Sequence, residues 1–227
     1  MRGFEAAWVY DHLAGQSLGG HTMLECFTTL GALAAATSRI SLGTMVVNMS
    51  LREPAVVVNG AASVQLISGR PFLLGLGAGA GPTSRWAREL HSSGVKPPAA
   101  MADRHTRVER TLVLCQQMWS PDREPELTTF PLPSPPPCRL VGVNSSPALA
   151  RLAGRLADGI NVWWHNPRRD ELLAVAGAER RSGRGFMRTT WVMEFDGVLD
   201  PGHPVRQEMQ AADIHRLVIV RSPSGHR

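Results

Sequence analysis

Short apolar runs alternate with stretches of helical spacing along nearly the whole chain, and this alternation limits the fold more than any other feature. The runs lie at residues 7–10, 40–47, 72–76, 139–143, 159–163, 189–195 and 216–220. Between them apolar residues recur every three or four positions. One stripe is Met23, Leu24, Phe27, Leu30, Leu33 and Ala34. A second is Val108, Thr111, Leu112, Cys115 and Trp119, and a third is Leu149, Leu152, Ala153 and Leu156. Further helices are predicted over 55–67, 168–178 and 203–211. Strand and helix in regular turn imply parallel strands joined by right-handed crossovers. A doubly wound open sheet and a (β/α)8 barrel share this pattern, and seven strands in one unbroken alternation favour the barrel. A barrel needs eight. The chain opens on what reads as a helix tail, residues 2–6, so the first strand and last helix are expected to be missing. The expectation is an α/β fold, a truncated (β/α)8 TIM-type barrel, as a single domain over 1–227. One connection is irregular: residues 121–137 hold seven prolines, which excludes helix and central strand there.

Composition narrows the function classes. With 43% hydrophobic residues among 227, the chain can bury a sizeable core. No apolar stretch approaches the roughly 20 residues that span a bilayer, so no membrane partner is expected. A net charge of +5 invites a nucleic-acid reading. Against it, 23 of the 24 basic residues are Arg, and they are spread from Arg2 to Arg227. The densest run, Arg168, Arg169, Arg180, Arg181, Arg184 and Arg188, alternates with Asp170, Glu171 and Glu179, as a solvated face does. No nucleic-acid partner is expected. Cys26, Cys115 and Cys138 show no metal-ligand spacing, so neither a metal site nor a disulfide framework is predicted. No secretory signal stands at residues 1–10, and a reducing cytoplasm is the expected location.

Three segments carry candidate chemistry. Asp11-His12 follows the first strand, where barrels keep their reactive groups. It is either a ligand-facing or a structural histidine, with the neighbouring carboxylate setting its protonation. By strand alternation Asp11 points elsewhere, bonding backbone groups of the turn. Gly75, Gly77, Gly79 and Gly81 close the third strand, but their spacing does not form a dinucleotide fingerprint. They leave room for a flat ligand against backbone, or only a flexible loop. Asn144-Ser145-Ser146-Pro147 opens a helix, which is an anion site or simply a well-capped start.

Five segments resemble the luciferase-like monooxygenase family, in its deazaflavin (F420)-dependent oxidoreductase branch. They are residues 8–12 (WVYDH), 34–46 (AAATSRISLGTMV), 52–56 (REPAV), 68–70 (SGR) with 74–79 (LGLGAG), and 156–161 (LADGIN). The resemblance runs in order from Phe4 to Val220. It implies an enzyme with a (β/α)8 barrel that transfers a hydride to or from a small organic substrate. The implied cofactor is coenzyme F420, with FMN as the alternative. An FMN-dependent monooxygenase and a degenerate, non-catalytic barrel are the alternative activities. Carried over by position, His12 is catalytic. Asp11, Met45, Val46, Asn48, Gly77 and Gly79 bind cofactor, with residues 44–48 along the ring. Asn144, Ser145 and Ser146 hold the phosphate. The resemblance also implies a cis peptide at Met45–Val46. Ala80 stands where some relatives carry an acidic Glu, which leaves His12 as the proton donor, with His21 and Glu25 as substitutes. Unpaired strand edges predict a homodimer or self-association.

Overall fold

The computed structural model describes residues 3–20, 22–180 and 185–221. The described residues fall into two compact units, one within 1–17 and 21–139, the other within 18–20 and 140–227.

The first unit opens with β1 (Ala6–Val9), α1 (Cys26–Ala36), β2 (Ser41–Thr44) and β3 (Val47–Asn48). It continues with α2 (Pro54–Ser68), β4 (Phe72–Gly77), α3 (Arg88–Ser92) and α4 (Met101–Met118). β1 pairs with β2, and both β2 and β3 pair with β4, all in parallel. Helix limits follow local chemistry. Glu25 caps α1 through the N–H groups of Phe27 and Thr28. Pro54 starts α2 at a position whose N–H is not needed, and Gly69, at φ 62°, ends it in the left-handed region. Leu30, Val57, Val58, Ala61, Leu74, Leu76 and Leu112 are fully buried and form the unit's core. The proline-rich segment 121–137 holds only a short 3-10 turn, Pro125–Leu127. Gln65 ties it down by donating to the Pro135 carbonyl at 2.5 Å.

The second unit carries β5 (Cys138–Gly142) from Leu140 onward, α5 (Pro147–Leu156), β6 (Gly159–Trp163) and α6 (Arg169–Ala178), then β7 (Met187–Met193), α7 (Pro204–Ala211) and β8 (Arg216–Val220). β5, β6, β7 and β8 pair successively in parallel. Inside this sheet Asn161 donates to Thr189 Oγ1 at 2.8 Å, and the Thr189 and Thr190 hydroxyls donate to the Ile160 and Val162 carbonyls. These buried polar groups are therefore satisfied. Trp164, Val192, Val198 and Met209 form an apolar cluster that seats α7. At the start of α6, Arg168 pairs with Glu171 in solvent, as expected of a solvated face, whereas Arg169 pairs with Asp170 but lies over the Trp164 ring at 3.8 Å. Arg181 and Arg184 lie outside the described residues.

The parallel β/α alternation matches expectation, and each expected strand position is filled. The run 40–47 departs from it, because it divides into β2 and β3. Gly43 lies opposite Leu73 and Val47 opposite Leu76, so this strand holds one residue more than its partner. The extra length falls at Met45–Val46, whose peptide bond is cis, as the resemblance implies. Just before it the Thr44 hydroxyl donates to the Gly75 carbonyl at 2.8 Å and accepts from the Gly75 N–H at 2.9 Å. A side chain thus replaces the backbone ladder where the strand bulges.

Candidate active site

Two residues past β1, adjacent side chains leave the chain in different directions. Asp11 is buried, and its carboxylate accepts three hydrogen bonds. Asn48 N–H donates at 2.9 Å, Arg52 Nε at 2.7 Å and Arg52 Nη2 at 2.6 Å. The forked guanidinium matches the carboxylate edge, the strongest geometry available to this pair. Arg52 also pairs with Glu25, and its cation stacks 5.2 Å from the Phe27 ring centre. Burial opposes the charge on Arg52, but the carboxylates of Asp11 and Glu25 outweigh it and raise its pKa. Burial likewise works against the Glu25 carboxylate. Bonds from Thr28, Arg52 and Phe27 nevertheless hold it at about 2. The result is one ionic network that ties the end of β1 to β3, α1 and the start of α2.

His12 turns the other way and meets Glu89, with Nδ1 to Oε1 at 2.7 Å. The second Glu89 oxygen accepts the N–H groups of Leu13 at 2.9 Å and Ala14 at 3.0 Å. A carboxylate taking two backbone donors on one oxygen has only acceptors left for a third partner. With Nδ1 committed to Glu89, Nε2 is the ring nitrogen left for other partners. The Glu89 side chain is 2% exposed and that of His12 22%. The buried carboxylate fixes the ring while the imidazole keeps access to solvent. Trp86 and Tyr10 flank it, with ring centres 6.0 and 6.2 Å away.

The strand ends beside this turn form a second feature. Met45 is buried, while Val46 and Asn48 are half-buried. A Cβ at Gly77 would lie 2.5 Å from Val46 Cγ2. One at Gly79 (φ 75°) would collide with Asn48 Oδ1 and Ser50 Oγ. The chain's own packing across β3 and β4 thus accounts for both glycines before any ligand is considered. The Ser50 hydroxyl donates to the Ala78 carbonyl at 3.0 Å and steadies the turn.

In the second unit Ser146 caps α5, its hydroxyl accepting the Leu149 N–H at 3.3 Å. Asn144 and Ser145 are exposed. Their carbonyls are held from the β6–α6 turn, Asn144 by Asn166 Nδ2 and Ser145 by Arg168 Nη1 at 2.7 Å.

Several expectations change at this level. The carboxylate on His12 belongs to Glu89, not to neighbouring Asp11. Asp11 does bond a backbone group, but that of Asn48 on β3 and not of its own turn. Glu25, an expected substitute acid, is spent as a helix cap and Arg52 partner. His21 lies outside the described residues. Glu89, Arg52 and Arg168 act in these regions although sequence reasoning assigned them no site role. Only Arg52 had a signal, inside the quoted segment 52–56. Cys26 and Cys115 are buried, and burial foremost pushes the Cys26 thiol up to about 12, which disfavours its reactive thiolate. Among the described residues no helix is long and apolar enough to cross a membrane.

Comparison with known proteins places the chain. It is 31% identical over 198 residues to an F420-dependent hydroxymycolic acid dehydrogenase of Mycobacterium tuberculosis, covering 80% of this chain and 51% of that protein. It is 30% identical over 216 residues to an F420-dependent glucose-6-phosphate dehydrogenase of Beutenbergia cavernae, covering 88% and 62%. The chain therefore spans between half and two thirds of the length of these relatives. An F420-dependent secondary alcohol dehydrogenase, solved with an F420-acetone adduct, superposes with a TM-score of 0.65 at 16% identity. That match covers 84% of this chain and 61% of the other, and the shared fold is the (β/α)8 TIM-type barrel class. The sequence profile of the luciferase-like monooxygenases matches residues 1–190. The chain belongs to the luciferase-like monooxygenase family.

Proposed function

We propose that this chain carries the ring-facing and proton-transferring groups of an F420-dependent oxidoreductase acting on a small organic substrate. The observation that carries the reading is His12 at the end of β1, its Nδ1 tied to buried Glu89 and its Nε2 left for a ligand. The residues present suit a flat cofactor. Val46 and Asn48 are half-buried, so both keep part of their surface open, and Asp11 holds the Asn48 backbone in place. Met45, Val46, Asn48, Gly77 and Gly79 would lie along the ring, with Asp11 holding that strand from below. Coenzyme F420, when bound, supplies or accepts the hydride. His12 Nε2 would hold or deliver the proton that accompanies it, while Glu89 keeps the imidazole in one tautomer. Asn144, Ser145 and Ser146 are proposed separately as phosphate contacts, supported by the exposed helix start and by Arg168 behind Ser145.

The names of the two dehydrogenase relatives support the cofactor choice. A cytoplasmic location and self-association belong to the same proposal. Exposed Val56, Leu66 and Ile67 support the latter. Titration of purified protein with F420 and with FMN, followed by fluorescence, tests the reading. Micromolar or tighter F420 binding supports it. FMN binding without F420 binding transfers the chain to the flavin-dependent monooxygenases, and binding of neither overturns the enzymatic reading.

A further inference from the structure

A recess of about 680 Å³ opens in the first unit beside the His12–Glu89 pair, between the turn after β1 and the segment around α3. That volume suits a small organic molecule. Two residues that wall it, Trp86 and Glu89, are also the ones that touch His12. Two others, Arg85 and Arg88, bring cationic side chains, and among the described residues neither has a carboxylate partner. Glu89 does not serve them, because both of its oxygens are committed to His12, Leu13 N–H and Ala14 N–H. Arg85 is held by stacking, its Cζ 4.5 Å from the Trp86 ring centre. Stacking fixes a guanidinium by its face and leaves its edge donors unspent. Leu13 and Ala14 add apolar lining, and Gln16, Ser92 and Ser93 add neutral polar groups.

We propose that this recess binds an oxyanion head, a carboxylate or phosphate, of the molecule on which His12 acts, with Arg85 and Arg88 as its specificity-determining residues. The proposal rests on the reading of His12 as the residue beside the reacting carbon. Its chemistry is that of the guanidinium, whose planar fork matches two oxygens at once and whose attraction weakens with salt.

Calorimetric titration of the cofactor-free protein with phenyl phosphate, benzoate and benzyl alcohol tests the site, since these probes share a ring and differ in head group. Both anions are expected to bind at least tenfold more tightly than the alcohol, and the tighter anion names the head. R85A/R88A is expected to weaken anion binding tenfold or more. Benzyl alcohol and F420 affinities should stay within twofold. Equal binding of anions and alcohol, or undiminished anion binding by the double variant, overturns the proposal. Should R85A/R88A lose its folded baseline, wild-type protein decides. Anion affinity must then fall between about 50 and about 500 mM NaCl, and salt-insensitive anion binding overturns the proposal as well. If wild-type protein binds the anions as expected but no F420, the cofactor reading fails and the anion recess stands.

Discussion

The two candidate binding regions are fixed by opposite means. The turn after β1 is held from far along the chain, Asp11 by Asn48 and Arg52, and His12 by Glu89, 77 residues away. Its carboxylates are nearly inaccessible, with side chains 1% and 2% exposed at Asp11 and Glu89. The turn before α5 is held by its own cap, three residues on, and by donors from the next β/α turn, 22 and 23 residues away. Asn144 and Ser145 stay in solvent. Buried charge is costly to leave half-paired, about 3–5 kcal/mol, whereas losing a hydroxyl cap costs only about 1 kcal/mol. The first region should therefore be brittle and the second forgiving.

The largest expected effect is on chemistry at the brittle turn. His12→Ala removes the group proposed to move a proton, and turnover with F420 and substrate should fall about 10²–10⁴-fold. Cofactor affinity should fall only modestly. Glu89→Gln keeps the size of the side chain but can donate as well as accept, so it no longer imposes one tautomer on His12. Its turnover should fall less, with a displaced pH-rate profile. An unchanged profile in Glu89→Gln would reduce Glu89 to a structural support.

Next in size is stability. Arg52→Met leaves the Asp11 carboxylate buried without its forked partner, a change of the kind that costs about 3–5 kcal/mol. Urea unfolding of the variant should show a free energy of unfolding lower by that amount, with a correspondingly lower midpoint. A loss below about 1 kcal/mol would place Asp11 among weakly coupled pairs and remove the contrast between the two turns.

How much of this was legible follows the same division between near and far. The start of α5 was readable because Pro147 stands at its first position and Ser146 caps it, signals that lie within one turn. Strand positions were readable from apolar runs. The division of 40–47 was not, because the extra residue is set by pairing with β4, far along the chain. Glu89 had no local signal either. It sits in the five-residue helix α3 after a 3-10 turn, too short for periodicity, and its meaning comes only from contact with His12. Of the candidate site, the positions of His12 and Asp11 were therefore legible, and the partners that give them their properties were not.

A smaller effect is expected at the forgiving turn. Asp is as good an N-cap as Ser, so Ser145→Asp with Ser146→Asp should leave the Leu149 N–H satisfied and the fold intact. The added negative charge should nonetheless repel a phosphate and raise the F420 dissociation constant about tenfold, equivalent to about 1.4 kcal/mol. Thermal unfolding of the double variant within a few degrees of wild type, together with weakened binding, would support the phosphate contact. Unchanged affinity would remove it.

The smallest effect separates the two caps by pH. Glu25 caps α1 as a carboxylate and Ser146 caps α5 as a hydroxyl. The Glu25 pKa is about 2 in the folded chain against an ordinary 4.5, burial being outweighed by the donors from Thr28, Arg52 and Phe27. A depressed carboxylate stabilises the fold fully above its unfolded value and loses that contribution as pH falls through the folded one. Glu25→Gln should therefore be less stable than wild type at pH 7, by about 1 kcal/mol because the side chain is 42% exposed and screened. The difference should shrink between pH 4.5 and about 2. Ser146→Ala removes a cap that does not titrate, so its deficit should stay constant over the same range. Denaturation curves of the three proteins across that window measure both slopes. A pH-independent deficit in Glu25→Gln would show that its cap works through packing rather than charge, and would make the two helix starts alike.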